Sequence, residues 1–144
     1  MYSNNIYNIR EDLDLTQDKL ATILGVSQSC IAKWENGKEF IPIRKANIIS
    51  NTYNISLDYL FKLSKHKHID IINKDLDLNI VGQRLLKIRQ DNNLTLRSLA
   101  KELNTSSSTI SAYETGKTLL LTAFALQICI KYKVSMDWLY GKID

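Results

Sequence analysis

An all-α fold made of two tandem copies of one five-helix domain is what this sequence predicts, and three observations predict it. Residues 27–38, SQSCIAKWENGK, return as residues 106–117, SSSTISAYETGK, with Ser, Ile, Glu and Gly-Lys at matched places. Apolar residues recur at the spacing of a buried helical stripe, each stripe preceded by a Ser or Thr suited to cap a helix. The chain has one Pro, five Gly and few long Val/Ile/Thr-rich runs, a composition for helices rather than a sandwich or barrel.

The repeat is ungapped. A shift of 79 positions aligns Arg10 with Arg89, Asp12 with Asp91, Leu15-Thr16 with Leu94-Thr95 and Leu20-Ala21 with Leu99-Ala100. The same shift aligns Glu35 with Glu114, Tyr53 with Tyr132, and Ser56, Asp58 and Leu60 with Ser135, Asp137 and Leu139. About 20 of the 54 positions from 9 to 62 are identical, far above chance for unrelated segments. Two copies are too few for a solenoid. The predicted organisation is a first domain over 1–63, a linker over 64–79 and a second, divergent domain over 80–144.

Each element has a local reason. Ile6, Ile9 and Leu13 supply the inner face of a first helix. Thr16 caps QDKLATIL and Ser27 caps QSCIAKWEN, each offering an oxygen to orphan amides at a helix start. Leu20, Ala21, Leu24, Ile31 and Trp34 form the buried stripe of those two helices. Gly25 in the intervening Gly-Val-Ser takes the positive φ that ends a helix. EFIP breaks the chain after Gly37, a fourth helix runs from about Ile43 to Tyr53, and Ser56 caps a short fifth with Asp58 in its first turn. The second copy repeats the plan over about 80–92, 95–103, 106–114, 122–132 and 135–141. Between the copies, Ile69, Ile71 and Ile72 give the polar linker a means of packing back on a domain.

The totals exclude several classes. The N-terminal MYSNNIYNIREDLDL lacks the basic and apolar regions of a signal peptide, and no stretch approaches the roughly 18 apolar residues of a membrane span. Two cysteines, Cys30 and Cys129, are too few for a disulfide framework or a zinc site, so a reducing cytoplasm is expected. His66 and His68 are read as linker residues, not metal ligands. No cofactor is expected. A net charge of +4 permits a polyanionic partner without demanding one. There is no phosphate-cradling glycine loop, His-Glu metal helix or nucleophile elbow, so an enzyme is not expected.

Two short helices joined by a tight turn, with TQxxLAxxLGVSQSxIxxWENGK followed by NISLDYL, resemble the helix-turn-helix of the phage repressor/Cro (XRE-like) family. The resemblance covers residues 5–62 and 84–141. It implies a compact five-helix bundle whose third helix enters the DNA major groove, and it implies roles for particular residues. Gln17 and Gln28 stand where the family contacts backbone and base edges. A Gln amide carries a donor and an acceptor, which suits bidentate pairing with adenine. Ser27, Ser29 and Lys33 lie on the same helix start and its next turn, while Lys38, Arg44 and Lys45 are candidates for flanking phosphates. Arg10 with Glu35, and Arg89 with Glu114, are read as ion pairs tying the first helix of each copy to the third.

The second copy departs at the reading surface. Leu96 stands in place of Gln17, and Ser107 and Ala112 in place of Gln28 and Lys33, with Ser108 opposite Ser29. Ser107 and Ser108 are degenerate readers, whereas Arg97 and Lys117 still suit phosphate. Leu119, Leu120 and Leu121 replace Phe40-Ile41-Pro42 and form a candidate apolar interface. The expected function is a sequence-specific DNA-binding transcriptional regulator, a repressor by preference, acting on double-stranded DNA as a homodimer. Within one chain the two copies also have the alternative of acting as a pseudo-dimer on half-sites about 34–36 Å apart. The competing reading is an antitoxin- or antirepressor-like module that binds a protein partner and uses DNA binding for autoregulation.

Overall fold

The computed structural model describes residues 2–144, and among them the chain forms ten helices in two compact units, Met1–Asn73 and Lys74–Asp144. Unit 1 contains α1 (Ile6–Asp12), α2 (Gln17–Leu24), α3 (Gln28–Glu35), α4 (Ile43–Tyr53) and α5 (Leu57–Leu60). Unit 2 contains α6 (Leu78–Asp91), α7 (Leu96–Glu102), α8 (Ser107–Glu114), α9 (Thr122–Tyr132) and α10 (Met136–Leu139).

The helix starts are local events. Thr16 Oγ1 accepts from the Lys19 amide at 3.1 Å, and Ser27 Oγ accepts from the Cys30 amide at 3.3 Å. In unit 2, Thr95 Oγ1 accepts from Ser98 N at 3.0 Å while Ser98 Oγ accepts from Thr95 N at 2.8 Å, a reciprocal box. Gly25 ends α2 at φ +68°, and the matching position in unit 2 holds Asn104 at φ +55°, the non-glycine residue that tolerates this conformation best. Each turn delivers the next helix across the first. Leu20, Leu24, Ile31 and Trp34 then meet Ile6 and Ile49 in the core of unit 1, all of them nearly fully buried.

Three features depart from expectation. Helix α6 begins at Leu78 rather than near 80, because the Asp77 carboxylate accepts from Asn79 N at 2.9 Å and Ile80 N at 3.4 Å. The stretch expected as linker divides at 73/74, and residues 64–73 bond back to unit 1. There Lys67 O accepts from Ser56 N at 2.9 Å, Lys67 Nζ pairs with Asp12 at 2.9 Å, and Asn73 Nδ2 donates to Asn51 O at 3.0 Å. Leu120, expected at an apolar interface, is instead fully buried, its carbonyl accepting from Tyr140 Oη at 2.7 Å. The physical reason for that correction is register: in the bend before α9, Leu120 turns inward as Ile41 does in unit 1, and Leu121 turns out.

Unit 2 also crosses its helices more closely. A β-carbon on Gly82 would stand 2.5 Å from the Glu114 carbonyl oxygen and 2.6 Å from that of Tyr113, so only glycine lets α6 lie against the end of α8. Arg84 clamps the C-terminus to α6 by donating to the carbonyls of Trp138 and, at 2.7 Å, Ile143.

Candidate nucleic-acid interface

In unit 1 the expected reading residues stand on an anchored network. Arg10 forms a two-pronged pair with Glu35, Nε to Oε2 at 2.8 Å and Nη2 to Oε1 at 2.9 Å, and its Nη1 donates to Leu15 O at 2.9 Å. Both side chains are about nine-tenths buried. The carboxylate that accepts from Arg10 holds the guanidinium above its ordinary pKa, against the opposing effect of burial. Gln17 Nε2 then donates to Glu35 Oε1 at 3.2 Å, and Gln28 Nε2 donates to Gln17 Oε1 at 2.5 Å. The ion pair read as structural is thus the foundation of the two amides read as functional. Gln28 is exposed at the start of α3, and its bond to Gln17 uses the side-chain nitrogen and not the carbonyl oxygen.

The remaining candidates line the exposed rim. Ser27 and Ser29 are exposed, but Ser27 Oγ is committed to the cap and lies 3.0 Å from Ser29 Oγ. Lys33 is exposed and pairs with Glu39 at 3.5 Å across the end of α3. Lys38 and Arg44 are exposed, and Lys45 Nζ lies 3.9 Å from where a side chain on Gly25 would begin, against the turn between α2 and α3. Sequence reasoning missed a strap. Tyr2 stacks on Phe40 at 4.3 Å and its hydroxyl accepts from Ile41 N at 2.9 Å, while Asn4 Nδ2 donates to Trp34 O at 2.9 Å. The N-terminal segment therefore pins the loop that follows α3. Burial pushes the Tyr2 phenol up to about 12, although its bond to Ile41 pulls the other way. No local pattern around Tyr2 signals this, since its partners lie some forty residues away.

Unit 2 keeps the foundation and drops what stood on it. Arg89 and Glu114 repeat the two-pronged pair at 2.8 and 3.0 Å, and Arg89 Nη1 repeats the bond to Leu94 O at 3.0 Å. Leu96 and Ser107 carry no amide, so the relay ends at Glu114. Arg97, Ser107, Ser108 and Lys117 are all exposed. Leu121 is 57% exposed. Among the described residues no group of three or more His, Cys, Asp or Glu side chains is arranged to hold a metal, and no helix is long and apolar enough to cross a membrane.

A family model described as a helix-turn-helix domain matches residues 4–65 and, a second time, residues 82–144. The chain belongs to the helix-turn-helix family. Both matches span a five-helix unit, so the family's XRE-like plan is present twice and accounts for most of the chain. The family is one of DNA-binding transcription regulators. Among curated proteins the chain is similar to the antitoxin PezA of Streptococcus pneumoniae serotype 4 (strain ATCC BAA-334 / TIGR4), with 30% identity over 89 residues, 62% of this chain and 49% of that protein. It is also similar to the HTH-type transcriptional activator BcrR of Enterococcus faecalis, with 32% identity over 59 residues, 41% of this chain and 29% of that protein. The chain thus spans about half the length of the first relative and less than a third of the second. No solved structure is significantly similar.

Proposed function

We propose that the chain is a sequence-specific transcriptional regulator that reads DNA with α3 of unit 1. The observation that carries this reading is the relay from Arg10 through Glu35 and Gln17 to Gln28. A bidentate reader must be held in one orientation before it meets a base, and three successive hydrogen bonds from a buried anchor do that. Lys33, Lys38, Arg44 and Lys45 supply positive charge around it for the phosphates, and the amide ends of α2 and α3 add fixed partial charge. Repression by steric occupancy of a promoter, in the cytoplasm, is the mode we favour. Unit 2 lacks both reader amides, which supports a division of labour in which its own role is not base readout.

The test is selection of binding sites from a randomised duplex library with the full chain. Enrichment of a two-fold-symmetric motif supports two copies of unit 1 reading one site. Two unlike half-motifs support readout by both units of one chain, and no enrichment refutes the DNA-reading assignment. A second reading is favoured by the similarity to an antitoxin over 62% of this chain: a protein-binding module whose DNA contact serves autoregulation. Stable co-purification of one stoichiometric protein from the native cell is its test.

A further inference from the structure

The two units treat one matched place in opposite ways. In unit 2, Arg84 of α6 lays its guanidinium over the Trp138 ring, 5.1 Å from its centre, and donates to the carbonyls of Trp138 and, at 2.7 Å, Ile143. The shift of 79 positions that relates the copies puts Asn5, Tyr59 and Ser64 in place of Arg84, Trp138 and Ile143. The turn that carries the carbonyls is built alike in both. Asp58 O accepts from Leu63 N at 2.7 Å as Asp137 O does from Lys142 N, and Lys62 takes a φ of +59° where Gly141 takes +75°. What differs is the filling. Asn5 is about nine-tenths buried, and its short side chain takes over one of Arg84's two bonds, Nδ2 donating to Tyr59 O at 2.7 Å. Among the described residues none donates to the Ser64 carbonyl, which stands where Ile143 O accepts from Arg84. The place left open is a cleft of about 500 Å³, lined by Asn5, Tyr59, Lys62, Leu63, Ser64 and Lys65.

The chemistry of the cleft selects its occupant. It keeps what holds a guanidinium in unit 2: a carbonyl without a donor, an aromatic side chain, and the carboxyl end of a helix with its negative partial charge. An anion alone finds little here. The amides of Lys62, Leu63 and Ser64 are spent on Tyr59 O and Asp58 O, so only the ammonium heads of Lys62 and Lys65 remain for it. An apolar group would cover the Ser64 carbonyl without pairing it. A cation alone meets the two lysines, both exposed and neither in an ion pair among the described residues, with no acidic side chain in the lining. A ligand that joins a guanidinium to a carboxylate answers both demands. Its guanidinium takes the place Arg84 fills in unit 2, and its carboxylate meets the lysines.

We propose that the cleft at the end of α5 is a binding site for arginine, taken as the free amino acid or as a side chain beside a carboxylate in a partner polypeptide. The guanidinium lies against Tyr59 and donates to Ser64 O, while the carboxylate pairs with Lys62 and Lys65. Unit 2 does not share the site, because its own Arg84 fills it. None of the residues proposed to read DNA takes part, so the site is independent of that assignment.

The test is a two-dimensional NMR titration of the full chain with L-arginine, followed at the backbone amides of residues 59–65. Saturable shifts there are expected, with a Kd on the order of 1 mM for a ligand of this size. Agmatine, which lacks the carboxylate, and L-citrulline, which lacks the positive side chain, should each bind at least about fivefold more weakly. The blocked dipeptide acetyl-Arg-Glu-amide tells the sources apart: binding tighter than L-arginine assigns the site to a polypeptide, and weaker binding assigns it to the free amino acid. Asn5→Arg supplies the side chain that unit 2 has and should abolish L-arginine binding. Lys65→Glu, at an exposed position, decides the matter if that variant folds poorly, since it should make agmatine a tighter ligand than L-arginine. Absence of saturable shifts at 59–65, equal binding of the three small ligands, a folded Asn5→Arg chain that still binds L-arginine, or a Lys65→Glu chain that still prefers it to agmatine each overturns the proposal.

Discussion

Replacing Gln28 by Ala should weaken operator binding by about 1–3 kcal/mol, the worth of one bidentate base contact, or roughly 5- to 150-fold in Kd. The structure sharpens this into a coupling. Gln28 Nε2 is held at 2.5 Å by Gln17 Oε1, and Gln17 is held at 3.2 Å by Glu35. Gln17→Ala removes the restraint as well as any phosphate contact, so part of its loss is the loss of Gln28's orientation. The two single losses should therefore exceed the loss in the double variant by about 0.5 kcal/mol or more. Ser107→Ala, at the matching place in α8, should change binding by less than about 0.5 kcal/mol. The assay is a fluorescence anisotropy titration on the selected site at one fixed salt concentration, since phosphate contacts make affinity salt-dependent. A loss at Ser107 equal to that at Gln28 would refute the asymmetry between the units. Strict additivity of the two glutamine changes would refute the relay.

Three further outcomes follow from the packing. Arg10→Met strands a nearly buried Glu35 with Gln17 as its remaining hydrogen-bond donor among those described here; urea unfolding should show unit 1 losing about 3–5 kcal/mol. Gly82→Ala drives a methyl group against the Glu114 and Tyr113 carbonyls, and should lower the stability of unit 2 by about 1–3 kcal/mol with unit 1 unchanged, read by hydrogen exchange. Lys142 is buried, and burial draws its pKa down to about 8 against the opposing pull of Asp137. The unfolded chain therefore binds the proton more tightly than the folded one between about pH 8 and 10.5. The cost of the buried charge is fully present below that window, and stability rises by about 1 kcal/mol from pH 8 to 9. Lys142→Met should flatten that rise in a series of denaturant titrations.

Much of the fold was legible in the order of residues because helix starts and turns are decided within a few positions. Thr16, Ser27, Thr95 and Ser106 each cap through an amide three residues on, and Gly25 closes α2 by its own φ. Asp77 is the exception: its cap works the same way, yet the mixed-charge stretch around it carried no apolar stripe to mark where α6 begins. The repeat itself exposed the Arg10–Glu35 and Arg89–Glu114 pairs, since two residues kept at the same separation in both copies have a reason to stay together.

The sequence by itself therefore determined the all-helical class, the duplication and the caps, and its family resemblance singled out the two glutamines proposed as readers. Only the tertiary structure decided which of them touch. Gln17, Gln28 and Glu35 become a chain of hydrogen bonds because α1, α2 and α3 converge on one point, and convergence depends on crossing angles that no local pattern encodes. The same holds for Leu119-Leu120-Leu121: three identical side chains share one composition, and the bend before α9 alone sends Leu120 into the core and Leu121 to the surface. Tyr2 and Phe40, and Lys67 and Asp12, meet across 38 and 55 positions of chain. Such contacts are set by the packed core that brings distant segments together, after the local choices have been made.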